Sequence, residues 1–530
     1  MKYPRACHYC RESKRKCNPR ALGQSCDTCL QRGLECDGEL RSHADTHKAL
    51  LPRDASNESN PAQPYGRVEQ DEASFLPHGM AVELVEHYLD KLHLRPHSIF
   101  HPATLRSRVR TGTVGKALLY AVCALGSKFS ANPDARGREA RLVEESKRLL
   151  QADIENVCLE NIQTSVLIAT WCVGHGNGSS EALFFRIGVA MSDIMGLSSS
   201  TLGDSIAERE TRRRTWWSLY AIDRWCISGL GMPSQMQDLT AVMELPMDEN
   251  IYHSTSPDQR TLYGPWRPGL WAHIVSLAPL FGSIQYLNQC IARDDTQTTK
   301  LGQEVEHISQ QLESWRDMLP MDARMTPENL HRQQNRGLGG LLISIHLAYH
   351  HYSTLLYFRF LEDPPSKDHK YVARCRSHAS SFSALIRQSR QLKGCEAVYP
   401  LVGHMTTVSS SVLVHTLLFG DVHELQKTRE ELNSNFEALM ELRQYWPATS
   451  AMINRLIKFQ NTCLLSTAPR THRLDGWMVR FLFEHSLLLN GRDTVRSSSG
   501  VDIELETIVS KTREFSERGR FMDFNFELID

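Results

Sequence analysis

Six cysteines within one short stretch constrain this chain more than any other feature. Cys7, Cys10, Cys17, Cys26, Cys29 and Cys36 follow the spacing C-x2-C-x6-C-x8-C-x2-C-x6-C, two C-x2-C pairs each trailed by a third cysteine. A segment of about forty residues cannot bury an adequate hydrophobic core, so its fold has to be cross-linked. Three arrangements satisfy the spacing. Six thiols can form a three-disulfide knot, which needs an oxidising compartment. Four can hold one tetrahedral zinc and leave two spare. All six can hold two zincs if two thiolates each bridge both ions. Met1–Cys10 is polar and lacks the apolar stretch of a signal peptide. The expectation is therefore a soluble intracellular chain whose thiols stay reduced, which favours metal over disulfides. The two-zinc arrangement uses every cysteine, and nearby Arg and Lys offset its excess negative charge and favour thiolates.

Charge is informative only locally. Lys plus Arg number 60 against 61 Asp plus Glu in 530 residues, so the net charge names no partner. Residues 1–20, however, carry seven bases (Lys2, Arg5, Arg11, Lys14, Arg15, Lys16, Arg20) and one acid, Glu12. The last ten residues carry three acids and no base. A nucleic-acid-facing start and a different task at the end are expected. No uncharged apolar run is read as reaching transmembrane length, the best lying near Leu338–Ile345, and no membrane partner is expected.

Residues 42–74 hold Pro52, Pro61 and Pro64 among Asn and Ser, and read as a flexible linker without a heptad. Helical periodicity then runs almost unbroken to about Asn490. Expected helices include Ala81–Leu92, Gly115–Phe129, Ile162–Val173, Ala182–Met195, Gly264–Leu287, Gly337–Phe360 and Leu401–Phe419. The best-defined covers Ser205–Ser228. Ser205 and Glu208 make a capping box at its start, and Gly229 and Pro233 supply stop signals. Trp216, Leu219, Tyr220, Cys226 and Ile227 share one face. Asp223 falls on that same face and needs an arginine partner from a neighbouring turn or helix.

The fold class expected is therefore mostly all-α: a small binuclear zinc cluster, a flexible linker and a large helical domain, to which the resemblances given below add two short helices in the cluster and a regulatory role for the helical domain. The eight scattered cysteines from Cys123 to Cys463 read as small buried hydrophobes. Gly174–Gly178 has three glycines but no preceding strand and no P-loop Lys-Ser/Thr, so a helix–helix loop is expected. His346, His350 and His351 share a helix without a neighbouring Glu base and read as packed or exposed histidines. Asn57-Glu58-Ser59 matches a glycosylation acceptor that stays silent outside the secretory path. No nucleophile–base or metal motif is found in residues 80–490, and no enzyme is expected.

The cysteine segment, over about residues 5–37, resembles the fungal binuclear zinc cluster (Zn2Cys6) DNA-binding domain. It shares two C-x2-C-x6-C halves and the bases Arg11, Lys14, Arg15 and Lys16 between the second and third cysteines. The resemblance implies two Zn2+ per chain. Cys7 and Cys26 would bridge the ions, Cys10 and Cys17 would complete one, and Cys29 and Cys36 the other. It further implies a helix carrying Arg11–Lys16 into the major groove to read a CGG-type triplet. Guanine O6 and N7 suit a Lys or Arg there. Lys14 takes the base-reading position, three residues before the third cysteine, and Arg11, Arg15 and Lys16 position phosphates. Gln24 stands where the family usually has a proline. Pro19 lies earlier in the same loop, so the departure touches the loop and not the ligands.

A second resemblance, over roughly residues 80–300, is to the middle homology region of fungal zinc-cluster regulators. It rests on Arg212-Arg213-Arg214-Thr215-Trp216-Trp217-Ser218-Leu219-Tyr220-Ala221-Ile222-Asp223-Arg224 and the Gly231-Met232-Pro233 turn. The segment around His87–His101 resembles the region's opening. The implied organisation is 1–41 zinc cluster, 42–74 linker, 75–300 middle homology region, 301–490 helical continuation and 491–530 acidic-aromatic tail. In that tail Phe521, Phe524 and Phe526 alternate with acids, as in a segment that folds on a coactivator or mediator-type protein. The alternative is a tail docked on the helical domain.

The expected function is a nuclear, sequence-specific regulator of RNA polymerase II transcription that binds double-stranded promoter DNA, with activation favoured over repression. Any homodimer would form through the helical domain. The rival reading is a helical ligand-binding or enzymatic protein carrying a zinc-cluster DNA address.

Overall fold

The computed structural model describes residues 75–199, 204–229, 232–292, 298–362 and 369–465, together with Cys17, residues 26–30 and Arg32. The chain divides into two compact units, residues 1–72 and 73–530. In the first unit the described element is one short helix, α1 (Asp27–Leu30). The linker, the tail and residues 466–490 of the expected helical continuation lie outside the described residues, as does the Asn57 acceptor.

The second unit is helical, as expected. Its first part contains α2 (His78–Lys91), α3 (Pro102–Thr111), α4 (Lys116–Ser127), α5 (Pro133–Gly137), α6 (Glu139–Ala152), α7 (Leu159–His175), α8 (Gly178–Met195) and α9 (Ile206–Gly229). It continues through α10 (Glu249–Ser254), α11 (Leu270–Val275), α12 (Ala278–Ala292), α13 (Thr298–Asp317), α14 (Pro327–Asn335) and α15 (Gly339–Tyr357). The last described helices are α16 (His369–Gln391), α17 (Leu401–Phe419), α18 (Leu425–Arg443) and α19 (Ala448–Leu465). Among the described residues the sole β-pairing is an isolated bridge between Met247 and Pro268.

Local chemistry explains several boundaries. Helices α3, α5 and α14 place a proline in the first turn, where a missing N–H costs nothing. The turn between α7 and α8 is the glycine-rich segment. Gly176 takes the left-handed conformation that ends α7, and the Asn177 side chain accepts from Ser180 N to open α8. It is the helix–helix loop the sequence suggested.

One expected helix fails at its start. Gly264–Leu287 breaks into α11 and α12, and residues 264–269 are not helical. Gly264 sits at φ 115°, and Pro265 and Pro268 lack the N–H a helix interior needs. Nor is Leu338–Ile345 the most membrane-like stretch. Leu270–Cys290 is long and apolar enough by composition, 21 residues with mean hydropathy 1.2. Within it Trp271, Val275, Phe281 and Ile284 are buried in the unit, whereas Tyr286 is exposed.

The core is organised by helices that are buried on nearly every side. All but one residue of α15 is buried, and α17 is buried along most of its length. Helix α15 packs on α11, α14 and α16, α17 packs on α16, α18 and α19, and α7 packs on α8 and α4. Trp446, between α18 and α19, fits so closely that a Cβ at Gly174 would lie 2.1 Å from its ring. Cys123, Cys172, Cys375 and Cys395 are buried as expected, whereas Cys158 and Cys290 are half-buried.

Candidate functional site

In the first unit, three of the six expected zinc ligands lie among the described residues: Cys17, Cys26 and Cys29. Cys26 directly precedes α1, and its carbonyl accepts from Leu30 N at 3.0 Å. The Cys29 carbonyl accepts from Arg32 N at 3.1 Å. Residues three apart on such a turn share a face. Cys26 and Cys29 are buried at 3% and 0% exposure, and Cys17 is half-buried. Burying two thiols on one turn of so short a segment suits metal ligation, in which thiolates gain a soft divalent partner. Cys7, Cys10 and Cys36, and the DNA-reading candidates Arg11, Lys14, Arg15 and Lys16, lie outside the described residues.

In the second unit the segment singled out by sequence is α9. The capping box forms as expected: Ser205 N donates to Glu208 Oε2 at 2.8 Å and Glu208 N to Ser205 Oγ at 3.2 Å. Trp216, Trp217 and Tyr220 are core residues. Trp216 stacks on Tyr220 at 5.4 Å, and Trp217 meets Trp216 edge-on at 5.1 Å.

Asp223 is fully buried and finds the arginines its position demands. Arg224 Nη1 lies 3.1 Å from Oδ2 and Arg186 Nη1 of α8 lies 3.6 Å from Oδ1. It also accepts from the turn after the helix: Ser234 Oγ at 2.5 Å, Gln235 N at 3.1 Å and Met236 N at 3.3 Å. The Arg186 side chain donates to Pro233 O at 2.5 Å. The aspartate therefore fixes the start of the chain that follows α9.

Sequence reasoning missed the other buried charge. Arg214 has no exposed surface. It donates to Glu210 Oε1 at 2.8 Å, Ser98 Oγ at 2.7 Å and Met247 O at 2.5 Å, and lies 3.6 Å from Glu249 Oε1. Its guanidinium sits 4.6 Å from the Tyr252 ring centre, a cation–π contact. Burial works against the cation, but Glu210 and Glu249 outweigh it and hold the Arg214 pKa above its usual value. Burial pushes the Glu249 pKa up, against the opposing pull of Arg214 and of the Leu270 and Trp271 amides. A usable signal existed: Glu210 and Arg214 stand four apart, the spacing of a helical ion pair.

The segment after α9 runs back along it through these groups. The Trp217 indole donates to Glu244 O at 2.9 Å, Arg213 pairs with the Glu244 carboxylate, and Met247 N donates to Glu210 Oε1 at 2.8 Å. The arrangement is structural. It positions two buried carboxylates and an arginine with filled hydrogen bonds and leaves no reacting geometry between them.

The expected histidines are packed. His346 and His351 are buried, and His350 is half-buried and meets His378 of α16. Among the described residues, no three or more His, Cys, Asp or Glu side chains gather as a metal site.

Comparison with known proteins adds the family context. Residues 85–317 match the family described as fungal specific transcription factor domain. An uncharacterized transcriptional regulatory protein of Schizosaccharomyces pombe is 24% identical over 322 residues, 53% of this chain and 32% of that protein. The Zn(2)-C6 fungal-type transcription factor FTF1a of Fusarium oxysporum f. sp. lycopersici is 21% identical over 414 residues, 68% of this chain and 37% of its own length. The transcriptional activator protein acu-15 of Neurospora crassa is 24% identical over 212 residues, 39% of this chain and 22% of its own. The chain thus spans between 22% and 37% of the length of these three relatives. Its α-helical second unit carries a region similar to the fungal specific transcription factor domain, and the relatives it matches are named as regulators of transcription.

Proposed function

We propose that the chain is a zinc-dependent, sequence-specific DNA-binding regulator of RNA polymerase II transcription acting in the nucleus. The observation that carries this reading is the six-cysteine spacing with four bases between its second and third cysteines, in a chain whose second unit is similar to the fungal specific transcription factor domain. The buried pair Cys26 and Cys29 supports it.

The thiolates of Cys7, Cys10, Cys17, Cys26, Cys29 and Cys36 would hold two zincs, with Cys7 and Cys26 bridging. The metal supplies cross-links in place of a core. On that scaffold Lys14 reads a G/C triplet of the CGG type, while Arg11, Arg15 and Lys16 bind phosphates. The acidic-aromatic residues 491–530 contact coactivators, and any dimerisation runs through the helical unit.

Zinc analysis of the purified chain tests the proposal. It should hold two zincs, and Cys26→Ser should disturb both sites and abolish selective binding to CGG-containing duplex. One zinc per chain, or equal affinity for CGG-containing and scrambled duplex, would sink it.

A further inference from the structure

A cavity of about 560 Å³ opens in the second unit where α13, α15 and α16 meet. This volume lies within the range of about 300–1,000 Å³ typical of small-molecule sites. Its walls combine two chemistries. Leu312, Leu319 and Met325 give an apolar surface, beside the rings of Tyr349 and Tyr357. Facing them is a cluster of cationic and imidazole groups that the DNA-binding reading does not use.

Three guanidiniums line this cavity, against two carboxylates. Arg374 pairs with Glu313 at 2.8 Å, and Arg316 pairs with its neighbour Asp317 at 2.9 Å. Arg324 is held by main-chain carbonyls, Leu319 O at 3.2 Å and Asp317 O at 3.1 Å, rather than by an acid. The cavity therefore keeps an excess of positive charge. His350 and His378 meet across it, Nδ1 to Nδ1 at 2.9 Å. Two imidazolium rings cannot make that contact. One ring donates through its Nδ1–H, and the ring that accepts is neutral and carries its own proton on Nε2. His346 donates its Nε2 proton to Ala323 O at 3.0 Å.

A cation is disfavoured here by the guanidiniums, and a wholly apolar molecule would cover Arg324, which main-chain carbonyls hold rather than an acid, without supplying a counter-charge. A flat carboxylate suits the arginine fork, and the adjoining leucines and tyrosines suit an apolar or aromatic body. We propose that this cavity binds a small organic anion, a carboxylate carried on an apolar or aromatic frame, with Arg316, Arg324 and the His350–His378 pair as its polar wall. The proposal is independent of the zinc and DNA reading, because every group in it belongs to the helical unit.

The test is calorimetric titration of the full chain with 2-naphthoate and with its neutral isostere 2-naphthamide. The acid should bind saturably, and the amide at least about tenfold more weakly. Arg316→Gln should weaken the acid about tenfold or more while leaving the melting temperature in place, since Arg316 is a surface residue paired with its neighbour. His350→Gln should weaken it as well. Equal binding of acid and amide would overturn the proposal, as would acid binding that ignores both substitutions. So would the absence of saturable binding up to about 10 mM. Zinc content and duplex binding are untouched by any of these outcomes, so the two readings fail separately.

Discussion

Replacing Arg214 with methionine separates the charge of the buried network from its bulk. Methionine keeps most of the apolar stem but donates nothing. The substitution removes hydrogen bonds to Glu210, Ser98 and Met247 O and leaves two carboxylates facing a vacant position. Breaking one partner of a buried ion pair costs about 3–5 kcal/mol. The loss stays within that single-pair range because both acids retain other donors. Glu210 keeps Met247 N and Arg213, and Glu249 keeps the amides of Leu270 and Trp271. For a helical unit of this size, such a loss lowers the melting temperature by about 5 °C. Thermal melts followed at 222 nm measure it.

The pH dependence of the deficit carries a sign. The folded pKa of Glu249 already lies above its ordinary 4.5 because of burial, and losing Arg214 raises it further. A raised acid is stabilised in its protonated form, so its contribution is present at low pH and lost as pH rises through the folded value. Relative to the unsubstituted chain, Arg214→Met should thus be worst near neutrality and partly recover toward pH 5. The combination with Glu249→Gln should also recover stability, because it removes an unpaired buried charge. A loss below about 1 kcal/mol at pH 7.5, or a deficit that grows on acidification, would refute this account of the network.

Gly126→Ala should destabilise the contact of α4 with α2 by about 1–3 kcal/mol or more, because its Cβ would sit 1.9 Å from Leu84 O; denaturant melts read the change directly. Acidification should weaken the second unit: burial depresses His97 and His253 to about 4, so the stability their neutral forms carry falls as pH drops from about 6.5 toward 4. Urea midpoints compared at pH 7.5 and 5.0 check that slope. Lys14→Ala should cost about 1–3 kcal/mol of discrimination for the G/C triplet, while Arg15→Ala should weaken all duplexes and flatten the salt dependence of binding measured by anisotropy.

What the sequence revealed was what is local. The capping box of α9 was readable because Ser205 and Glu208 satisfy each other within one turn. The need of Asp223 for an arginine followed from helical periodicity, and Arg224 and Arg186 meet it. Its bonds to Gln235 and Met236 depend on the path of a non-helical segment, which periodicity does not encode. Arg214 was hidden among three successive arginines, where charge alone suggests an exposed face; its burial follows from Ser98, Met247 and Glu249, all distant in sequence. The apolar run from Leu270 masked the prolines before it and extended α11 too far. The His350–His378 contact joins residues 28 apart on different helices and leaves no trace in either helix's pattern.

The chain that doubles back along α9 has a kinetic meaning. Its amides at Gln235, Met236 and Met247 are held by side chains of the helix rather than by a sheet or a helix of their own. Such amides can exchange with solvent only when Asp223 or Glu210 lets go, and both carboxylates are locked to arginines on α9 or α8. The amides of Gln235, Met236 and Met247 therefore share a clock with α9: their hydrogen-exchange protection should rise and fall with the helix, although the segment has the irregular backbone of a surface loop. The deuterium label would show these three amides and the helix opening as one unit, at one rate.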